Sequence, residues 1–268
     1  MKCFSIDLDG TLLNSEHQIP DENLAVLHEL RAQGHEVILN TGRALPDVIK
    51  IEGVDQLDVP IFCINGSALY SKDRDLLYEA TIDVDRFRDI FQTVRGLGAG
   101  ILVYTNKGGM PSTLPPLHKR GWDEIEKMFA EFDYDSIYQI KNLKIYKLIA
   151  LVNPNEPGKI EQVKKALQER SDLSIASSFP NNLEITSSEA HKGKAILRYQ
   201  EIKKLKFEEI YAFGDGGNDI AQFEVATISV AMGNAPKEVQ EKADFVTKTN
   251  DENGFAYAVK EILKIGIF

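Results

Sequence analysis

The chain has 268 residues, 43% of them hydrophobic and 27% charged, enough apolar material for a sizeable buried core without disulfide or metal staples. Its formal charge of −10 and lack of a dense Lys/Arg cluster argue against nucleic acid or an anionic membrane surface as the main partner. No apolar run approaches the ~18 residues of a membrane span, the start does not read as a leader, and Cys3 and Cys63 sit in apolar strand-like runs as buried unpaired thiols do; the expectation is a reducing compartment, the cytoplasm.

In chain order, short β-branched or aromatic runs alternate with helical periodicity, the pattern of βαβ units around a parallel sheet. CFSIDLD, residues 3–9, is the first strand. From Asp21 to Gly34 the residues Leu24, Leu27, His28, Leu30 and Arg31 recur at helical spacing, with Pro20 just before and Gly34 where a cap glycine belongs. HEVILN completes β-α-β, PIFCIN is a third strand, and ALYS and LLYEA flank the turn residues Lys72 to Asp75.

After about residue 80 the rhythm becomes α+β. Helices from Asp83 to Leu97 and Gly121 to Phe132 alternate with strands ILVYT, KIYKLIALV, SIASS and LEIT, and loops fall at Lys107 to Pro116 and Asn153 to Gly158. Beyond Ser188 the helix KGKAILRYQEIKKL leads to strand EIYAFGD, then ATISVAM, ADFVTK and a terminal helix. The expected architecture is α/β: a doubly wound, Rossmann-like parallel-sheet core from residues 1–80 and 188–268, interrupted by an α/β insertion over 81–187.

The chemistry begins at IDLDGT, where Asp7 and Asp9 stand one residue apart as an apolar strand ends. Strand alternation would point both to one side, and Gly10 permits a sharp exit turn. Alone, such a segment is equally an Asx-type turn. Other strand ends add a hydroxyl and glycine at Thr41 and Gly42, an ammonium at Lys192, and a carboxylate cluster at Asp215, Asn218 and Asp219. Each has a plain alternative: turn residues, a solvated lysine at a helix start, an N-cap cluster. Chance does not readily gather at four separate turns the groups that a divalent metal and a phosphate require.

DLDGT, the strand ending in Thr41, Lys192 before Gly193, and GDGGND resemble, in order and spacing, the four motifs of the haloacid dehalogenase superfamily. A cap-sized insertion between the second and third motifs makes essentially the whole chain similar to its Cof-type hydrolases. The resemblance implies a Mg²⁺-dependent phosphatase in which Asp7 attacks phosphorus to form an aspartyl-phosphate and Asp9 is first acid, then base. It further implies Thr41 and Lys192 in catalysis, Asp7, Asp9, Asp215 and Asp219 around the metal, and Gly42, Arg43 and Asn218 on the substrate phosphate. Asn65 and Gly66 are expected to contact the leaving group, as are Asn182 and Glu184 of the insertion, with Asn181, Lys107 and His118 as further candidates. Tyr138, Tyr146 and Trp122 read as packing residues. The expected partner is a small phosphorylated metabolite and the expected state a monomer or weak homo-dimer. A phosphomutase stays open as the rival, and Gly216-Gly217 departs from the small polar residue often found there.

Overall fold

The computed structural model describes residues 1–111, 120–177 and 180–266. The chain packs as two compact units, Met1–Glu79 with Ala190–Phe268, and Ala80–Glu189.

The first unit opens with β1 (Cys3–Ile6), α1 (Asp21–Ala32), β2 (Glu36–Asn40), the short α2 (Leu45–Val48), β3 (Ile61–Cys63), β4 (Ala68–Tyr70) and β5 (Leu76–Glu79). Strands β1 to β3 are nearly all buried and mostly apolar on both faces, as a sheet covered by helices on two sides requires. In α1, Val26, Leu27 and Leu30 form the buried stripe, and Gly34 at φ 79° turns the chain into β2.

The inserted unit holds α3 (Val84–Gly96), β6 (Gly100–Thr105), β7 (Gly108–Met110), α4 (Trp122–Glu131), β8 (Ile145–Leu151), α5 (Pro157–Leu167), β9 (Leu173–Ala176) and β10 (Asn182–Ser187). Its strands pair antiparallel in the order β7-β6-β8-β10-β9. Alternation along the central strands divides the faces: Ile101, Val103, Leu148, Ala150, Leu183 and Ile185 pack on Phe87, Ile90 and Val94 of α3 and Ile160, Val163 and Leu167 of α5. Leu102 and Ile149 face the other way, onto Ile125 and Phe129 of α4. Tyr138 packs against the first cluster and Trp122 against the second, as packing residues should. Strand β7 lies within the expected Lys107–Pro116 loop, and α5 starts inside the expected Asn153–Gly158 loop and continues through residues that carried no assignment: Pro157 pre-sets the first turn of α5, and β7 is an edge strand of glycines with little side-chain signal.

The chain then returns to the first unit through α6 (Lys192–Lys203), β11 (Ile210–Gly214), α7 (Ile220–Phe223), β12 (Ile228–Ala231), α8 (Lys237–Gln240), β13 (Phe245–Val246) and α9 (Gly254–Tyr257). The eight-stranded sheet runs β13-β12-β11-β1-β2-β3-β4-β5, parallel from β13 to β3 and closed at one margin by the antiparallel β4 and β5. α6 covers one face through Ala195, Ile196 and Tyr199 against Cys3, Ile38 and Phe62, while α7 and α8 bring Phe223 and Val239 onto Ala212 and Ala231. Cys3 and Cys63 are buried free thiols. Among the described residues no helix is long and apolar enough to cross a membrane.

Candidate active site

Strands β11, β1, β2 and β3 lie side by side and run the same way, so the loops that follow them share one edge of the sheet. The chain winds away from β1 on one side through β2 and β3 and on the other through β11 to β13, which makes β1 the place where a crevice opens beyond the strand ends. Asp215, Asp7, Thr41 and the Asn65 turn follow these four strands.

Asp7 sits just past β1, where its N–H still bonds Phe213 at 3.1 Å. The chain then leaves in a wide turn, with Leu12 N–H on the Asp7 carbonyl (3.2 Å) and Leu13 N–H on that of Leu8 (2.9 Å). Strand pairing ends before either carboxylate, so alternation along a strand does not relate Asp7 to Asp9, contrary to expectation. Their settings differ: Asp7 is 5% exposed, whereas the Asp9 side chain keeps 47% of its surface. Gly10 takes φ 72°, and a Cβ there would fall 2.2 Å from Asp215 Oδ2. The turn and the β11 loop therefore meet backbone to carboxylate, which no residue larger than glycine permits.

Lys192 opens α6 and is fully buried. Its Nζ lies 2.6 Å from Asp7 Oδ1 and 2.6 Å from Asp219 Oδ1. Asp219 is saturated: Oδ2 accepts the N–H groups of Asp215 and Gly216, both at 2.9 Å, and Oδ1 also accepts Gln222 Nε2 at 2.8 Å. Those backbone bonds hold the Gly216-Gly217 loop in place despite its missing side chains.

Beneath this pair runs a buried polar network that the sequence reading did not find. Ser5 Oγ donates to Gln222 Oε1 (2.8 Å), and Asn40 Nδ2 donates to Ser5 Oγ (3.1 Å) and to the Lys192 carbonyl (3.1 Å). Gln222 thus ties the Lys192 backbone to Asp219 through three fully buried side chains. The available signal was a polar residue inside otherwise apolar strand runs, Ser5 in CFSI and Asn40 in VILN.

Thr41 is buried, and its Oγ1 accepts the Arg43 N–H at 3.2 Å. Asn65, at φ 55°, accepts Asn218 Nδ2 on its Oδ1 at 3.0 Å, and a Cβ on Gly42 would stand 3.1 Å from the same oxygen. Gly66, at φ 88°, lies against the start of α6, where a Cβ would be 2.9 Å from the His191 carbonyl. Gly42, Asn65 and Asn218 therefore meet at the edge that carries Asp7. Arg43 spends its guanidinium on Asp9: Nε donates to Oδ2 at 2.7 Å and Nη2 donates to Oδ1. In the inserted unit, Asn182 and Glu184 lie on β10, both buried, with Glu184 Oε2 3.2 Å from Lys147 Nζ, while Asn181 donates to the Val152 carbonyl and Lys107 is exposed in a turn. His118 lies outside the described residues.

The electrostatics of the cluster suit a divalent cation. One carboxylate oxygen from each of Asp7, Asp215 and Asp219 lies within 4.8 Å of the others. Three carboxylates against one ammonium leave a formal −2 in a buried place, a charge that a divalent ion would cancel. Burial, reinforced by Asp219 and Asp215 and opposed by Lys192, drives the Asp7 carboxyl well above its usual range. Burial and then the neighbouring Asp219 push Asp215 up to about 7. Burial alone would lower the Lys192 ammonium, but Asp219 and Asp7 more than reverse it, so the lysine stays charged.

A family model described as haloacid dehalogenase-like hydrolase matches residues 4–259. The chain is 32% identical to the 5-amino-6-(5-phospho-D-ribitylamino)uracil phosphatase YwtE of Bacillus subtilis, over 98% of each chain. It is 31% identical to the phosphatase YwpJ of the same organism, over 98% of this chain and 100% of that one. Among solved structures, a haloacid dehalogenase-like hydrolase from B. subtilis superposes with a TM-score of 0.84 at 29% identity, covering 98% of this chain and 100% of the other. With its motifs at one sheet edge and relatives matched end to end, the chain belongs to the haloacid dehalogenase-like hydrolases and is a phosphatase of the Cof type.

Proposed function

We propose that this enzyme is a Mg²⁺-dependent phosphomonoester hydrolase that takes the phosphoryl group of a sugar, polyol or cofactor-precursor phosphate onto Asp7. The observation that carries the reading is the Lys192 ammonium seated between Asp7 and Asp219, with Asp215 alongside. A phosphate dianion repels a carboxylate nucleophile unless cations draw charge off its oxygens, and the bound Mg²⁺ would supply that neutralisation. Asp7, Asp215 and the Asp9 carbonyl would hold the ion, with Asp219 acting through its waters because its own oxygens are already occupied.

An Asp7 oxygen forms the new bond to phosphorus as the bond to the leaving oxygen breaks, and Asp9 gives that oxygen its proton. Water then attacks the aspartyl-phosphate, Asp9 takes the water's proton, and the Asp7–phosphorus bond breaks to return free carboxylate and inorganic phosphate. Lys192 holds Asp7 in place and opposes the upward pull of burial on its carboxyl. The Thr41 hydroxyl and the Gly42 N–H are suited to the phosphoryl oxygens, and the Asn65–Asn218 pair with Gly66 to the adjoining part of the substrate. Residues 81–187 are assigned substrate selection, with Asn182 and Glu184 as contributors. The relative named for a ribitylaminouracil phosphate supports a polyol phosphate as the first class to try.

The test is a screen of phosphate release across sugar, polyol, nucleotide and vitamin phosphates with Mg²⁺, without any activating bisphosphate, against Asp7→Asn. Release by the native enzyme but not by the variant is the expected result. Robust turnover by Asp7→Asn would refute the covalent route, and a strict need for a bisphosphate would make the enzyme a mutase.

A further inference from the structure

The chemistry above gives Arg43 no necessary part, yet its side chain is tightly committed. Nε and Nη2 grip both oxygens of Asp9, the parallel fork geometry that fixes the plane of a carboxylate as well as its position. The Arg43 backbone is pinned on both sides, its N–H by Thr41 Oγ1 at 3.2 Å and its carbonyl by the Ile64 N–H at 3.0 Å. Its guanidinium therefore reaches Asp9 from a fixed base at the end of β2.

A second group approaches from the opposite chain segment. His17, at φ 60°, places Nδ1 3.7 Å from Asp9 Oδ1 and 3.5 Å from Arg43 Nη2. Its turn is itself held: Asn14 Oδ1 accepts the N–H groups of Glu16 and Gln18, and Ser15 bonds both oxygens of Asp251 through its N–H and Oγ, at 2.7 and 2.6 Å. Asp9 needs such support. It lies outside any strand, beside a glycine, and is half exposed, so an unheld carboxylate there would spread over its staggered rotamers.

We infer that Arg43 is a positioning residue that sets the direction of the Asp9 carboxylate, flanked by His17, and not a ligand of the substrate phosphate. The inference rests on the reading of Asp9 as acid and base. Its consequence is selective: an alkoxide leaves only with a proton delivered along the right line, whereas p-nitrophenolate leaves without one.

The experiment compares Arg43→Lys, which keeps the charge and loses the fork, with Arg43→Met, which loses both. With Mg²⁺, kcat on a polyol phosphate should fall about tenfold or more in Arg43→Lys and further in Arg43→Met, with KM within about threefold. Single-turnover release of p-nitrophenolate from p-nitrophenyl phosphate, with enzyme in excess, should stay within about twofold of native in both. His17→Ala should show the same bias at smaller size. Equal losses on the two leaving groups would mean simple structural damage, and a raised KM with kcat kept would mean a phosphate ligand; either overturns the inference. Asp9→Asn, run in parallel, separates the levels. If it shows the leaving-group bias and the Arg43 variants do not, only the role of Arg43 fails; if it shows none, the acid role of Asp9 fails and the inference with it.

Discussion

Two buried lysines define the two units, and their company differs. Lys147, in the inserted sheet, is ion-paired with Glu184, with its ammonium 5.1 Å from the Tyr104 ring centroid. Lys192, at the sheet edge of the larger unit, faces three carboxylates and is outnumbered. An ammonium beside a carboxylate can sit buried in a protein indefinitely; a cluster with excess negative charge is unfavourable until something positive joins it. The imbalance, more than the burial, sets the Asp7–Asp215–Asp219 cluster apart and supports the proposed site.

The contrast can be broken most sharply at Asp7. On the proposed covalent route, Asp7→Asn should cut turnover on the order of 10⁴-fold or more, measured as phosphate release at saturating substrate, because the nucleophile and not merely a charge would be gone. Lys192→Met should abolish turnover as well and cost about 3–5 kcal/mol in a urea titration, since it strands buried carboxylates. Lys147→Met should cost a similar amount for the same reason, but Lys147→Met with Glu184→Leu should return to within about 1 kcal/mol of native. If that double variant keeps its stability while KM shifts, Glu184 serves selection.

Metal and pH sharpen the same point. Asp215 is raised in the folded protein, so its contribution to metal-free stability is fully present below the ordinary carboxylate range and is lost as pH rises toward about 7. Asp7, raised by the same burial, acts in the same direction. Melting in EDTA should therefore fall between pH 5 and pH 8, and Mg²⁺ at 100 times its dissociation constant should restore about 2.7 kcal/mol at pH 8. Asp215→Asn should flatten both responses. A melting curve in EDTA that rises with pH would show that the cluster carries no excess negative charge. The smallest effect expected is at Gln222→Met, about 1–3 kcal/mol in denaturant titration from leaving Ser5 and Asn40 short of a partner.

What could be read from the residues alone followed from where chemistry is forced to sit. Asp7, Thr41, Lys192 and Asp215 stand directly after strands or at a helix start, so turn signals exposed them, and the alternating rhythm gave the parallel core and the inserted α/β segment. Less legible were groups whose partners are distant in sequence. Ser5, Asn40 and Gln222 each look like a polar oddity in an apolar run, and only the pairing of β1 with β2 and the return of α7 bring them together. Helix α5 was hidden by its lysine-rich surface, although Ile160, Val163 and Leu167 keep helical spacing. The separation of Asp7 from Asp9 was hidden too, because strand β1 stops at Ile6, and where pairing ends depends on neighbours that no local pattern reveals.

The contact at Gly10 carries a consequence for how this enzyme can vary. A methyl group there would overlap Asp215 Oδ2 at 2.2 Å, so any side chain at position 10 must evict that oxygen from the carboxylate cluster or unwind the turn that carries Asp9. The carboxylate cluster and the placement of Asp9, the proposed proton donor, are thereby locked to one missing atom: a single exchange, Gly10→Ala, would loosen both at once, and neither can drift without disturbing the other.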